Sequence, residues 1–235
     1  MSASALELNG LSSGYGEAVV VRDVELTIRP GEIFALLGKN GMGKSTLLKT
    51  VMGFLPVLGG TVKCFGEDIT GVQPYRIARK SIAYTPQEQT LFHDLTVEEN
   101  LRLALTSDEL MKPGLERIGA FFPFVPQRLK QRAGTLSGGE QKMLLVARAL
   151  MTKPKLMLVD EISEGLQPSV IERLTGVFKA EREQSQTAIL LIEQHVKFAL
   201  AIADRYAVLK LGEIVDRGDA NDHGAHVRIA SQLSV

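Results

Sequence analysis

The apolar run Ile33 to Leu37 leads directly into Gly38-Lys39-Asn40-Gly41-Met42-Gly43-Lys44-Ser45, and this junction constrains the fold more than any other stretch of the chain. The spacing G-x-x-x-x-G-K-[ST] between a strand and a helix is that of a phosphate-binding loop. Its glycines let the backbone curl until successive N–H groups point inward, and a helix beginning near Lys44 adds the positive end of its dipole. A triphosphate fits such a cradle. Lys44 would reach the β- and γ-phosphates, and the Ser45 hydroxyl would be a ligand of Mg²⁺. Lys39, Asn40, Met42 and Thr46 complete the expected nucleotide contacts.

A strand, a loop and a helix in this order belong in an α/β fold, and the rest of the pattern agrees. Ile33 to Leu37, Leu156 to Val159 and Ala188 to Ile192 are short and continuously apolar, which suits parallel strands covered on both faces. Leu6 to Leu8, Ala18 to Val21 and Val24 to Ile28, punctuated by glycines at 10, 14, 16 and 31, predict an antiparallel portion. From about residue 88 to residue 152 the leucine spacing turns helical and predicts an inserted lobe. The expected organisation is one domain, with a nucleotide-binding core over 1–87 and 153–218, a helical subdomain over 88–152 and a tail over 219–235. Asp219 to His226 is polar enough to read as a loose connector.

Hydrophobic residues are 45% of the 235, enough for a core without covalent staples. Lys plus Arg and Asp plus Glu both total 27, so no overall field draws the chain toward nucleic acid or anionic lipid. Cys64 is the single cysteine and has no internal disulfide partner. The start, Met1-Ser2-Ala3-Ser4, has neither the basic residues nor the apolar core of a secretion signal, and no apolar run reaches about 18 residues. These features predict a cytosolic location and no membrane span.

Two further motifs carry chemistry. Leu156-Met157-Leu158-Val159-Asp160-Glu161 is an apolar strand ending in two carboxylates: Asp160 can hold Mg²⁺ through water, and Glu161 can polarise the water that attacks the γ-phosphate. Leu136-Ser137-Gly138-Gly139-Glu140-Gln141 opens a helix on which Met143, Leu144, Ala147, Leu150 and Met151 recur at helical spacing, with Ser137 and Glu140 forming a capping box. A cap by itself needs no paired glycines. A helix N-terminus that docks on phosphate does need backbone free of side chains. Because Ser137, Gly138, Gly139 and Glu140 fall in the helical lobe, far along the chain from Lys44, they would serve a nucleotide held by a second subunit.

Together these residues resemble the ATP-binding cassette (ABC) ATPases, with Gly38 to Ser45 as Walker A, Leu136 to Gln141 as the LSGGQ-type signature and Leu156 to Glu161 as Walker B. The resemblance spans nearly the whole chain. It implies a P-loop NTPase fold with a mostly parallel core sheet, an antiparallel β subdomain and an inserted α-helical subdomain. It further implies ATP and Mg²⁺ as ligands, ATP hydrolysis, and a head-to-tail dimer with two ATP molecules between P-loop and signature faces. Tyr15 is similar to the aromatic residue that stacks on adenine. Gln87, in Tyr84-Thr85-Pro86-Gln87, is similar to the Q-loop glutamine that acts in catalysis and on the metal.

Leu95 to Leu101, Ala133-Gly134-Thr135 and Glu164-Gly165-Leu166-Gln167-Pro168 resemble the ATPases of branched-chain amino acid and related amide or urea importers, the shorter of the paired subunits more than the longer. That resemblance implies a peripheral position on the cytoplasmic side of the cell membrane, a second cassette, identical or paralogous, and permease subunits as partners. It also implies a secreted solute-binding protein upstream and no nucleic acid. A soluble ABC ATPase acting on nucleic acid or ribosomes is opposed by the absence of a coiled-coil insertion, a second cassette or a basic tract.

Three positions depart from the family pattern. Ile162 follows the Walker B glutamate where most relatives have proline, and Gln167 stands where many have an aspartate. The family's switch histidine, counted back from Asp204, falls in register on Gln194 and not on His195. Strand alternation turns neighbouring side chains to opposite faces, so Gln194 ranks ahead of His195 as the switch residue unless the strand ends in a bulge. These departures also raise a regulatory subunit with little turnover. Phe121, Phe122 and Phe124 read either as core aromatics or as a groove for a membrane subunit, and Cys64 and His93 as packing and surface residues.

Overall fold

The computed structural model describes residues 3–87 and 91–234. A hairpin of Leu6–Tyr15 (β1) and Ala18–Ile28 (β2) opens the chain, followed by Ile33–Leu37 (β3) and, after the P-loop, Lys44–Val51 (α1). Val57–Cys64 (β4) and Glu67–Asp68 (β5) complete an antiparallel sheet ordered β2-β1-β4-β5. Pro74–Ile77 (α2) leads to Ile82–Thr85 (β6), and then come the helices Val97–Arg102 (α3), Met111–Phe121 (α4), Phe124–Gln127 (α5) and Gly138–Met151 (α6). The chain returns through Leu156–Asp160 (β7), Pro168–Ser185 (α7), Ala188–Glu193 (β8), Val196–Ile202 (α8), Arg205–Lys210 (β9), Glu213–Asp219 (β10) and Ala225–Leu233 (α9). The second sheet is ordered β10-β9-β3-β8-β7-β6, parallel throughout except for β10 on its edge.

The continuously apolar strands have two buried faces, which is why they lack alternation. Ile33, Ala35 and Leu37 of β3, with Met157 and Val159 of β7, join a core built on α4, α6, α7 and α8. Phe34 and Leu36, with Leu156 and Leu158, face a second core shared with the antiparallel sheet and α1. The central sheet is therefore the middle of three layers, and the C-terminal ends of its parallel strands form one rim. The P-loop, Glu161 and Gln194 all follow strands that end there.

Several expectations are corrected. Ala18 to Ile28 is one strand, with Asp23 at φ 47° in its middle, and β6 and β9 extend the parallel sheet although their short, polar-flanked sequences carry little strand signal. Leu91 and Leu95 precede the first helix of the helical segment, which begins at Val97 behind a Thr96–Glu99 capping box. The stretch read as a loose connector ends β10 and starts α9, whose Ala225 and Ile229 are buried against the helix-side core. Of the two readings left open for the aromatics, the core one holds: Phe122 is fully buried, and the partly buried Phe121 and Phe124 pack onto the same core.

Candidate functional site

Gly41 and Gly43 have φ of 80° and 98°, the left-handed values that the loop needs to turn its N–H groups inward. A Cβ on Gly38 would lie 2.6 Å from the Leu209 carbonyl oxygen, so side-chain-free backbone is required there. Gly43 caps α1 without any side-chain bond, leaving the first N–H groups of that helix for a ligand. Thr46 is buried in the first turn of α1, while Lys39 and Asn40 are exposed. The Met42 carbonyl accepts from Gly212 N–H, tying the loop to the β9–β10 turn.

Around this cradle the structure gathers Lys44, Ser45, Gln87, Asp160, Glu161 and Gln194. Lys44 Nζ lies 2.9 Å from Glu161 Oε1 and donates to the Lys39 carbonyl, with both ionic side chains under 5% exposed. Glu161 Oε2 accepts from Gln87 Nε2 at 2.9 Å and from Gln194 Nε2 at 3.1 Å. Ser45 Oγ donates to Asp160 Oδ1 at 3.2 Å. Burial pushes the Asp160 carboxyl up to about 6, the Ser45 hydrogen bond opposing and Glu161 reinforcing the rise. A buried carboxylate beside a hydroxyl, both hard oxygen donors, suits Mg²⁺, which takes one or two protein ligands and completes its shell from phosphate and water. Among the described residues no group of three or more His, Cys, Asp or Glu side chains could hold a metal independently.

Glu161 sits at φ 45°, a conformation that costs a non-glycine residue on the order of 1–3 kcal/mol and that places its carboxylate beside Lys44. Its N–H is held by the Ile192 carbonyl at 2.9 Å. Ile162 is fully buried in the helix-side core. Ser163 gives its N–H and hydroxyl to the Glu193 carboxylate at 3.0 and 2.7 Å, which locks the loop after β7 to the end of β8. Burial raises the Glu193 carboxyl above its ordinary value.

The neighbours Gln194 and His195 diverge. Gln194 reaches Glu161, whereas His195 is exposed and caps α8, its Nδ1 accepting from Phe198 N–H at 3.3 Å. Tyr15 is half exposed at the tip of the β1–β2 hairpin, and Val20 of that hairpin approaches Gly43 closely. Gln167 is an exposed residue at the start of α7.

Ser137 and Glu140 form the capping box: Glu140 N–H donates to Ser137 Oγ and Ser137 N–H to Glu140 Oε2 at 3.0 Å. Ser137 and Gly138 are exposed, Gly139 and Glu140 partly so, and none is bonded to the P-loop of its own chain. Sequence reasoning missed Lys142, which donates to the Gln87 carbonyl at 3.3 Å, the Ser163–Glu193 lock, and Glu164, which accepts from Gln87 Nε2 at 2.8 Å. Glu164 opens the stretch Glu164 to Pro168, three residues past Glu161, and that proximity was the available signal.

Residues 21–164 match the family model described as ABC transporter. The chain is 41% identical over 212 residues to the high-affinity branched-chain amino acid transport ATP-binding protein BraG of Pseudomonas aeruginosa, covering 89% of this chain and 91% of that one. It is 38% identical to the probable branched-chain amino acid transport ATP-binding protein LivF of Archaeoglobus fulgidus, over 90% of this chain and 91% of the relative. Among solved structures, a nucleotide-free ATP-binding cassette from an ABC transporter superposes with a TM-score of 0.85 at 25% identity, over 98% of this chain and 96% of the other. The sheet order, the P-loop and the family match together place this chain in the ABC transporter ATP-binding family.

Proposed function

We propose that the chain is the ATP-hydrolysing subunit of an importer for branched-chain amino acids or a related small solute, one of two cassettes acting at the cytoplasmic face of a membrane. The observation that carries this reading is the cluster of Lys44, Ser45, Gln87, Asp160 and Glu161 on one rim, with Ser137 and Gly138 exposed and not bonded to it. A nucleotide on the P-loop would be closed over by the signature residues of a second cassette, the helical stretch 88–152 acting as the lobe that presents them. The names of the two relatives support a transport role and lend nothing to a role on nucleic acid.

Lys44 is paired with Glu161. Triphosphate would draw Lys44 away as a point charge and leave Glu161 free to orient the attacking water. Gln194, already beside Glu161, would bond the γ-phosphate through a neutral amide, and the exposed ring of Tyr15 would stack on adenine. Ser45 and Gln87 directly, and Asp160 through water, would hold Mg²⁺, which supplies charge neutralisation across the β- and γ-phosphates when bound. ATP touches both cassettes in the closed pair. Its cleavage removes contacts that exist only in that state, and this difference in affinity drives opening.

The permease would dock in a groove of about 510 Å³ between β6 and the helical segment, lined by Tyr84, Leu103, Leu105, Leu110, Leu145 and Met151. Leu103 and Leu110 are 57% and 45% exposed, and Phe54, whose ring lies 6.4 Å from that of Tyr84, is 56% exposed. No helix among the described residues is long and apolar enough to cross a membrane, so a peripheral cassette would depend on such a partner. Glu161→Gln tests the catalytic reading: the variant should keep ATP binding, lose phosphate release by about 100-fold or more, and accumulate as an ATP-bound pair. A variant that still hydrolyses ATP at the wild-type rate would overturn the role given to Glu161.

A further inference from the structure

We propose that Glu193 and Ser163 are a positioning pair that sets Gln194 against Glu161, and so governs the rate of phosphate release without governing nucleotide affinity. The proposal rests on reading Glu161 as the residue that orients the attacking water and Gln194 as its neighbour on the γ-phosphate. Glu193 is 2% exposed and Ser163 7% exposed, so the joint they form is internal. Both carboxylate oxygens of Glu193 are taken by Ser163: Oε1 accepts its N–H at 3.0 Å and Oε2 its hydroxyl at 2.7 Å. Burying a carboxylate is costly, and the hydrogen bonds it accepts are stronger than those between neutral groups. Such a joint resists sliding.

Its place in the chain gives it a consequence for the chemistry. The β7–β8 ladder ends with Asp160 beside Ile192. One residue further, Glu161 turns to φ 45°, and its N–H is held by the Ile192 carbonyl at 2.9 Å. Two residues beyond Glu161, Ser163 is held by Glu193. The loop is thus tied to β8 on both sides of a conformation that persists only where its surroundings impose it. Gln194 directly follows Glu193, and its Nε2 lies 3.1 Å from Glu161 Oε2. The bonds from Ser163 to Glu193 therefore fix the backbone from which one of these partners springs relative to the other. Among the described residues the P-loop makes no hydrogen bond to Ser163 or Glu193, so its hold on a nucleotide should survive loss of the joint.

The split between kcat and KM separates this role from a general stiffening of the fold. Phosphate release by the full-length protein would be measured over a range of Mg²⁺-ATP concentrations. Ser163→Ala, which keeps the backbone bond, should lower kcat by about tenfold or more and hold KM within about twofold of wild type. Glu193→Gln, which keeps an acceptor and the shape of the side chain, should retain kcat within about threefold, whereas Glu193→Ala should fall at least as far as Ser163→Ala. In a Gln194→Ala background Ser163→Ala should cost less than about twofold more, because the two changes remove the same placement. A slowed Gln194→Ala with Ser163→Ala at the wild-type kcat overturns the proposal and leaves the reading of Gln194 standing. So does a raised KM with unchanged kcat in Ser163→Ala, a full further loss in the Gln194→Ala background, or a Glu193→Gln protein as slow as Glu193→Ala. Gln194→Ala at the wild-type kcat overturns the reading of Gln194 and this proposal with it.

Discussion

Asp160 is a carboxylate with too little water around it. Its carboxyl titrates near 3.8 when unfolded and about 6 when folded, burial being the main cause. Between those values the folded state keeps a proton that the unfolded state has released, so stability falls as pH rises through about 4 to 6, by about 1–3 kcal/mol in all. Without metal, Asp160→Asn should be the more stable protein at pH 7.5 and should lose that advantage near pH 4, as read by urea unfolding. A less stable variant at pH 7.5 would show that the carboxylate is better compensated than its burial suggests. At this scale the sequence was legible where chemistry demands a fixed spacing, as at Lys44, Ser45, Asp160 and Glu161. It was illegible at Glu164 and Glu193, whose partners Gln87 and Ser163 are brought to them only by the fold. Gln194 lies between: strand alternation ranked it ahead of His195, and the structure bonds Gln194 to Glu161 while His195 caps a helix.

Between elements, the joint that merits a test is Arg117 on α4 against Glu181 on α7. Glu181 is 1% exposed and takes two bonds from Arg117 Nη2 at 2.6 and 2.7 Å, while Arg117 Nη1 donates to the Leu150 carbonyl at the end of α6. The pair fastens the helical segment to the core at the end opposite the capped start of α6. Arg117→Ala would leave a buried carboxylate with only the Thr187 hydroxyl, at 2.7 Å, and should cost about 2–4 kcal/mol in urea unfolding. A loss below about 0.5 kcal/mol would mean that water replaces the guanidinium freely. β3, β7 and β8 were legible because burial on both faces makes them short continuous apolar runs, and α6 because burial on one face gives its apolar residues a helical period. β6, β9 and α9 were not. Polar or charged residues flank or fill them, and their burial comes from neighbours supplied by the rest of the fold.

For the whole molecule, one chain holds both a cradle and, unbonded to it, the exposed Ser137 with its flanking glycines. The three-layer arrangement keeps the two apart: the P-loop follows β3 on the rim of the sheet, and Ser137 opens a helix beyond it. An α/β nucleotide-binding fold could be read from the P-loop and the buried strands, whereas the edges of the helical segment and the groove lined by Leu103 and Leu110 depend on how its helices pack. A shared site requires Ser137 to act at a distance from its own nucleotide. The most direct measurement pairs analogue binding with phosphate release in Ser137→Arg. Sharing predicts an analogue affinity within about twofold of wild type, because the chain's own P-loop holds the nucleotide, and phosphate release reduced by about 100-fold or more. Undiminished phosphate release would contradict a site shared between two subunits.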